Sequence, residues 1–287
     1  MLHCLDHLIV AVDDLPAAVR RMQLLFGRPA SWRGEHPRQG TANALFRLDN
    51  TILELLAPQG DGPLGAVLRA RLDAQGEGLV ALAFGTEDAV ACAAAWRRAG
   101  LEPSGPEDGL GRDTDSGAIR LWARVDASPG MTRGTVIFAI QHRSPADVLP
   151  LCEARTSPEA SVTGLDHVVV LSADIEATRV VFGDKLGLRL ALDRSFEPRG
   201  VRLLFFRVGG VTVEIGGRPD AEPQPEVSDR FGGIAWRVAN VDGARARVAE
   251  AGFDVSQARD GAKQGTRVFT LRGEPCGVPT LFIGPAA

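Results

Sequence analysis

A chain of 287 residues that is 45% hydrophobic carries enough apolar mass for two compact cores, at about 150 residues per domain. Its formal net charge of −4, with arginines scattered among acids, offers no basic stripe to follow a phosphate backbone and argues against nucleic acid as a partner. No run nears the roughly 18 apolar residues of a membrane span and the first residues lack the regions of a signal peptide, so a cytoplasmic protein with no membrane partner is expected.

Residues 4–12 are an apolar, β-branched run followed by Asp13-Asp14 as an N-cap and Pro16 in the first turn, which predicts a strand and then a helix. Over residues 15–26, Leu15, Val19, Met22 and Phe26 recur at helical spacing, and Gly27 supplies the stop. Strand-like runs follow at 30–33, 41–48 and 51–56, the last two joined by an Asp49-Asn50 turn, so the unit reads βαβββ. Leu64, Leu68 and Leu72 mark a short helix after Pro63, expected to bridge to the next unit. That unit begins with a strand at 78–84 and a helix at 87–99 ended by Gly100, and its last strand run is 135–141. Residues 146–161 lie in a stretch rich in Pro, Ser, Ala and Glu and read as a linker. The pattern then repeats: a strand at 164–171, a helix at 174–186, strands at 189–193, 201–208 and 211–215 with a Gly209-Gly210 turn, a strand at 232–238, a helix at 241–251 and a strand at 280–283. The expected fold class is α+β, with four βαβββ modules grouped as domains 1–145 and 162–287. The cysteines Cys4, Cys92, Cys152 and Cys276 lie too far apart for a CxxC zinc site or a disulfide framework and read as reduced, mostly buried thiols.

The duplication is sharpest in its polar residues. Leu5-Asp6-His7 recurs as Leu165-Asp166-His167, and each histidine is followed, at the same spacing, by a lone glutamate in an apolar run, Glu54 and Glu214. A carboxylate flanked by Ile52, Leu53, Leu55 and Leu56 is unfavourable unless it is paired, hydrogen-bonded or facing a cavity. Strand alternation puts Glu54 on one face with Ile52 and Leu56, so a solvent-facing Glu54 would expose both; for Glu214 the inference is weaker because Thr212 shares its face. Arg69, Arg71, Arg97 and Arg98 read as solvated helix faces. No Gly-rich phosphate loop, GxSxG elbow or HExxH pattern occurs, which removes nucleotide hydrolysis, serine esterase and zincin chemistry and leaves no nucleotide cofactor expected.

The runs Leu-Asp-His-Leu-Ile-Val-Ala-Val from Leu5 and Ile-Leu-Glu-Leu-Leu from Ile52, with Leu-Asp-His-Val-Val-Val from Leu165 and Thr-Val-Glu-Ile from Thr212, resemble the vicinal oxygen chelate superfamily of glyoxalases, bleomycin-resistance proteins and extradiol dioxygenases. Gly40-Thr41-Ala42-Asn43 and Gln141-His142-Arg143-Ser144-Pro145 look like a glyoxalase-like subfamily in the first domain. The resemblance implies paired modules with curved mixed sheets around a cleft, a divalent metal held by the first and fourth strands of each module, and a small substrate with neighbouring oxygens. Carried over residue by residue, His7 and Glu54 match in the first domain, with Leu79 and Gln141 at the other two places. His167 and Glu214 match in the second, with Gly233 and Phe282 opposite, which disfavours an extradiol dioxygenase. The implied metal set is therefore His7, Glu54 and Gln141, with His142 in reserve against a one-residue register slip, and with His167 and Glu214 as a poorer pair. Glu54 doubles as the catalytic base. His36 and Asn43 are expected to line the first cleft, and Arg199 or Arg202 to meet an anionic substrate in the second. The function implied is a glyoxalase-like lyase or isomerase, metal-assisted, in the first cleft of a monomer or homodimer; the alternative is a metal-free protein that sequesters a small molecule.

Overall fold

The computed structural model describes residues 1–197, 200–219, 222 and 224–286. Its first half builds one curved, mixed, eight-stranded sheet from β1 (Leu2–Ala11), β2 (Trp32–His36), β3 (Thr41–Arg47), β4 (Ile52–Pro58), β5 (Gly78–Thr86), β6 (Ser104–Arg112), β7 (Ile119–Asp126) and β8 (Val136–His142), in the order β2-β3-β4-β1-β5-β8-β7-β6. The second half repeats that order with β9 (Val162–Leu171), β10 (Arg189–Phe196), β11 (Val201–Val208), β12 (Val211–Gly217), β13 (Arg230–Val238), β14 (Arg259–Asp260), β15 (Thr266–Thr270) and β16 (Thr280–Pro285). In each sheet the leading strands of the two modules pair antiparallel at the centre, β1 with β5 and β9 with β13, while each leading strand runs parallel to the fourth strand of its own module. The first sheet nearly closes on itself, because its edge strands meet through a bridge between Gly34 and Asp113.

Helix α1 (Leu15–Phe26) starts where Asp14 accepts a hydrogen bond from the Ala17 amide and ends at Gly27, whose φ of 70° suits a residue without a Cβ. Its buried stripe of Val19, Met22 and Phe26 packs on the convex side of the first sheet and reaches the second: the Phe26 ring stands edge-on to Phe46 at 5.5 Å and to Trp236 at 4.8 Å. One apolar core thus runs through both halves. Polar clamps flank it. Asn50, in the predicted turn, exchanges two hydrogen bonds with the Leu165 main chain, and Arg133 reaches Asp229 at 3.2 Å.

Helix α2 (Pro63–Gln75) does more than bridge modules: Leu68 and Leu72 lie on the concave face of the first sheet, against Ile9, Ala11, Leu56, Ala81, Ala83 and Phe138. Helices α3 (Ala89–Arg98) and α5 (Val241–Glu250) follow the expectation closely. The helix expected over 174–186 differs, being α4 (Ile175–Arg179) continued by a π-helical stretch, Val180–Lys185; the β-branched pair Val180-Val181 and Gly183 weaken the regular α ladder there. Within residues 146–161 the chain is held to the first sheet. Val148 and Leu149 pack on Trp32, Leu45 and Ile52, and Arg47 donates to the carbonyls of Ala146 and Leu149. Among the described residues no helix is long and apolar enough to cross a membrane.

Candidate functional site

Strand alternation in β4 sends Leu53, Leu55 and Ala57 into the core shared with α1 and turns Ile52, Glu54 and Leu56 to the concave side. In β1, His7, Ile9 and Ala11 face the same side, where Leu68 and Leu72 of α2 cover Ile9 and Ala11. A bulge supplies one more group: the register with β5 passes from Leu5↔Phe84 to His7↔Ala83, leaving Asp6 as the extra residue and letting it turn inward beside His7. The second sheet has the same bulge at Asp166, between Trp236↔Leu165 and Ala235↔His167.

These groups form a hydrogen-bonded array. Asp6 accepts from His7 Nδ1 at 2.7 Å and from His142 Nε2 at 2.9 Å. His7 turns its other nitrogen toward Glu54, with Nε2 3.5 Å from Oε2, and its ring stands edge-on to Phe138 at 5.3 Å. Asn43 donates from Nδ2 to Glu54 Oε1 at 2.7 Å, which orients the carboxylate, and leaves its own Oδ1 buried without a protein partner. The side chains of His7 and Glu54 are only 9% and 12% exposed, so these contacts operate with little competition from water. Burial alone would raise the Asp6 carboxyl, but the hydrogen bonds and charge of His142 and His7 outweigh it and hold Asp6 well below the usual carboxylate range.

Gln141 does not join this array. It belongs to the opposite face of β8, where its Oε1 accepts from the Ala89 amide at 3.1 Å and its Nε2 donates to the Glu87 carbonyl at 2.8 Å, so it caps α3. The residue facing inward is His142, one position along. Leu79 likewise belongs to the helix-side core. Gln141→Ala is expected to cost about 1 kcal/mol in urea denaturation, the worth of a helix cap, with no change at the cleft; unchanged stability with altered ligand binding would contradict the capping role. His36 lies on β2 two residue pairs along from Asn43, its Nδ1 3.1 Å from Thr41 Oγ1, and is bound to that hydroxyl instead of to Glu54.

The donors present do not fit a divalent ion. Among the described residues no group of three His, Cys, Asp or Glu side chains is placed to share one. His7 and Glu54 converge, but Gln141 points away and His142 is turned to Asp6. In the second cleft His167 Nδ1 is 3.0 Å from Asp166, and Arg237 Nε donates to that carboxylate at 3.1 Å. These partners overcome the effect of burial and hold the Asp166 carboxyl at about 2. Glu214 shares the concave side with His167, whereas Phe282 is packed in the helix-side core against Phe269.

Arg202, expected to meet an anionic substrate in the second cleft, does not face it. Arg202 shares the convex face of β11 with Leu204 and Phe206 and is clamped by Asp193 and by Glu176 of α4, whose hydrogen bonds raise its pKa further and occupy its guanidinium. Arg199 lies outside the described residues. Burial pushes the Glu214 carboxyl up, the charge of His167 opposing and that of Asp166 adding. A raised folded value means stability that is complete below the unfolded pKa of about 4.3 and is lost as pH rises. Glu214→Gln is therefore expected to melt higher than the parent at pH 7, with the gap closing near pH 4; a lower melting temperature at pH 7 would show that the charged form is favoured. The thiols offer no alternative centre, since burial raises Cys4 and Cys276 to about 11 and Cys92 and Cys152 are also raised.

Strand β7 supplies groups that the sequence reading missed. Arg120, Trp122, Arg124 and Asp126 alternate onto the concave side, Trp122 opposite His142. Arg124 is held by Asp126 and lies 3.7 Å over the Phe138 ring. Period-2 polarity was the available signal, and by itself it reads as a solvated strand face. A separate hollow of about 330 Å³ lies between α1 and the β2–β3 edge, walled by Val19, Gln23, Gly34 and Ala42. Asn43 borders it from behind, its side chain being turned to Glu54.

Comparison with known proteins agrees with this architecture. A family described as glyoxalase-like domain matches residues 5–164, and one described as the glyoxalase/bleomycin resistance protein/dioxygenase superfamily matches residues 166–270. No curated protein sequence matches the chain. A variant of 4-hydroxymandelate synthase from Streptomyces coelicolor superposes with a TM-score of 0.70 at 16% identity, over 100% of this chain and 93% of that one. A hypothetical protein from Staphylococcus aureus gives 0.65 at 12% identity over 96% and 97%, and a halotolerant catechol dioxygenase gives 0.60 at 12% identity over 99% and 87%. At these identities the likeness is one of fold.

Proposed function

The chain belongs to the glyoxalase-like family of the vicinal oxygen chelate superfamily, and on that premise we propose that its first cleft carries out proton transfer on a small carbonyl compound, as a lyase or isomerase. The observation that supports this most is Glu54: a carboxylate nearly removed from water, oriented through one oxygen by Asn43, with the other 3.5 Å from His7 Nε2. Such a carboxylate takes a proton from carbon next to a carbonyl, and the C–H electron pair moves into the carbonyl to give an enolate. His7 stands within reach of the same proton. Its Nδ1 is tied to Asp6, which fixes the ring and presents Nε2 to the reacting centre. Return of the proton to the other face of the carbon gives an epimer, to a neighbouring carbon an isomer, and departure of a β-substituent from the enolate gives a lyase product. Because the donor set does not suit a divalent ion, no step is assigned to one.

Solvent-deuterium incorporation into small α-hydroxy- and α-methyl-carbonyl compounds, followed by NMR with a chelator present, tests this reading. Exchange that survives the chelator and needs Glu54 supports it; exchange that appears only on adding a divalent cation overturns it. The second reading, a metal-free protein that sequesters its ligand, is favoured by the mutual satisfaction of Asp6, His7 and His142. It requires a ligand-induced rise in melting temperature without any exchange.

A further inference from the structure

The cleft contains a cation that the proton-transfer reading leaves without a task. Arg120 enters from β7 and sits between two indoles, its guanidinium carbon 5.5 Å from the Trp32 ring centre and 5.9 Å from that of Trp122. The backbone is cut away to admit this arrangement: a Cβ on Gly109 would lie 2.1 Å from Trp122 Nε1, and one on Gly111 would lie 3.3 Å from the same ring. Only Gly at 109 lets the indole lie flat on β6. Other arginines nearby are already engaged, Arg124 by Asp126 and Arg47 by the Ala146 and Leu149 carbonyls. Among the described residues Arg120 has neither a carboxylate within ion-pair distance nor a hydrogen-bonded partner; it is half-buried, which lowers its pKa, while the charges of Asp6 and Glu54 act on it in the opposite sense. A half-buried guanidinium that no protein group has paired is open to an incoming planar anion, which fills two of its donors at once.

Building on the proton-transfer reading, we propose that Arg120 is the anchor for the carboxylate of a flat, singly charged organic acid, whose uncharged carbonyl end extends toward Glu54 and His7. One guanidinium fork matches one carboxylate in a bidentate pair. Charge selects against more. A phosphate or dicarboxylate would bring its further negative charge to a floor that already holds Asp6 and Glu54, and among the described residues no second unengaged arginine stands there to receive it. Flatness follows from Trp122, the half-buried indole beside Arg120, on which a conjugated acid stacks. The reactive end is then set by length: the carboxylate on Arg120 holds the acid by one end while the carbonyl end lies over the Glu54–His7 pair.

Calorimetric titration of the full chain with benzoate, its neutral isostere benzamide and inorganic phosphate tests the assignment. Benzoate is expected to bind at least tenfold more tightly than either. In Arg120→Gln that preference falls by about tenfold to a hundredfold, and Arg120→Lys recovers part of it because the charge returns without the fork. Equal binding of benzoate and benzamide, tighter binding of phosphate, no benzoate binding to the parent, or a preference that survives Arg120→Gln in a folded variant would each overturn it. Glu54→Gln separates this proposal from the reaction assigned above. Benzoate binding that persists in Glu54→Gln, with deuterium exchange absent from the parent, leaves Arg120 as the anchor and removes the reaction; exchange of neutral carbonyl compounds by a parent that does not bind benzoate does the reverse.

Discussion

Glu54→Gln is expected to reduce deuterium exchange by about 10²- to 10⁴-fold, the usual worth of a positioned general base, while the protein keeps its fold. Glutamine has the shape of glutamate and still offers Asn43 a carbonyl oxygen, so the hydrogen bond to Asn43 Nδ2 at 2.7 Å survives. What it lacks is the ability to take a proton. The variant isolates chemistry from architecture in a way that Glu54→Ala would not, because alanine also leaves Asn43 unpaired in an apolar wall. Exchange within twofold of the parent would mean that Glu54 is a structural acceptor and that the proton moves elsewhere, His7 being the nearest other base.

Asp6→Ala is expected to carry the largest stability cost, about 3 kcal/mol, in the range found when one partner of a buried ionic contact is removed. Asp6 ties together two histidines from different modules, His7 on β1 and His142 on β8, and nothing else among the described residues holds both rings. The pH dependence has a definite sign. The folded Asp6 carboxyl lies below its unfolded value, so its contribution is fully present above the unfolded pKa of about 3.9 and is lost as pH falls toward the folded value. The parent should therefore lead the variant by its full margin from pH 5 upward, and the margin should shrink in acid. Urea denaturation at pH 7 and pH 3 measures both ends; an equal margin at the two would show that Asp6 acts by packing and not as an anion.

Much of the concave face was legible from period-2 alternation. Ile52, Glu54 and Leu56 share the concave side as the alternation requires, and His7 joins them because β1 runs parallel beside β4. Gln141 shows where such reading breaks. The place opposite Glu54 is one residue out of phase at Gln141, and in a strand one residue exchanges the faces, so the group aimed at Asp6 is His142. Asp6 could not be picked out by alternation at all, since it faces inward only through a bulge. The bulge is a property of the pairing between β1 and β5, not of either strand alone.

Duplication, the order of strands and helices, and the paired Asp-His and Glu positions are local properties, written in short-range spacing and apolar period, and the chain by itself determined them. Curvature decided the rest. Arg120, Trp122, Arg124 and Asp126 have the polarity of a strand washed by solvent, and they become the interior of a site only because the sheet bends until Gly34 meets Asp113 and residues 146–149 close over Trp32. No segment encodes that enclosure. It arises when the edges of a twisted eight-stranded sheet come together, which depends on every strand pairing at once.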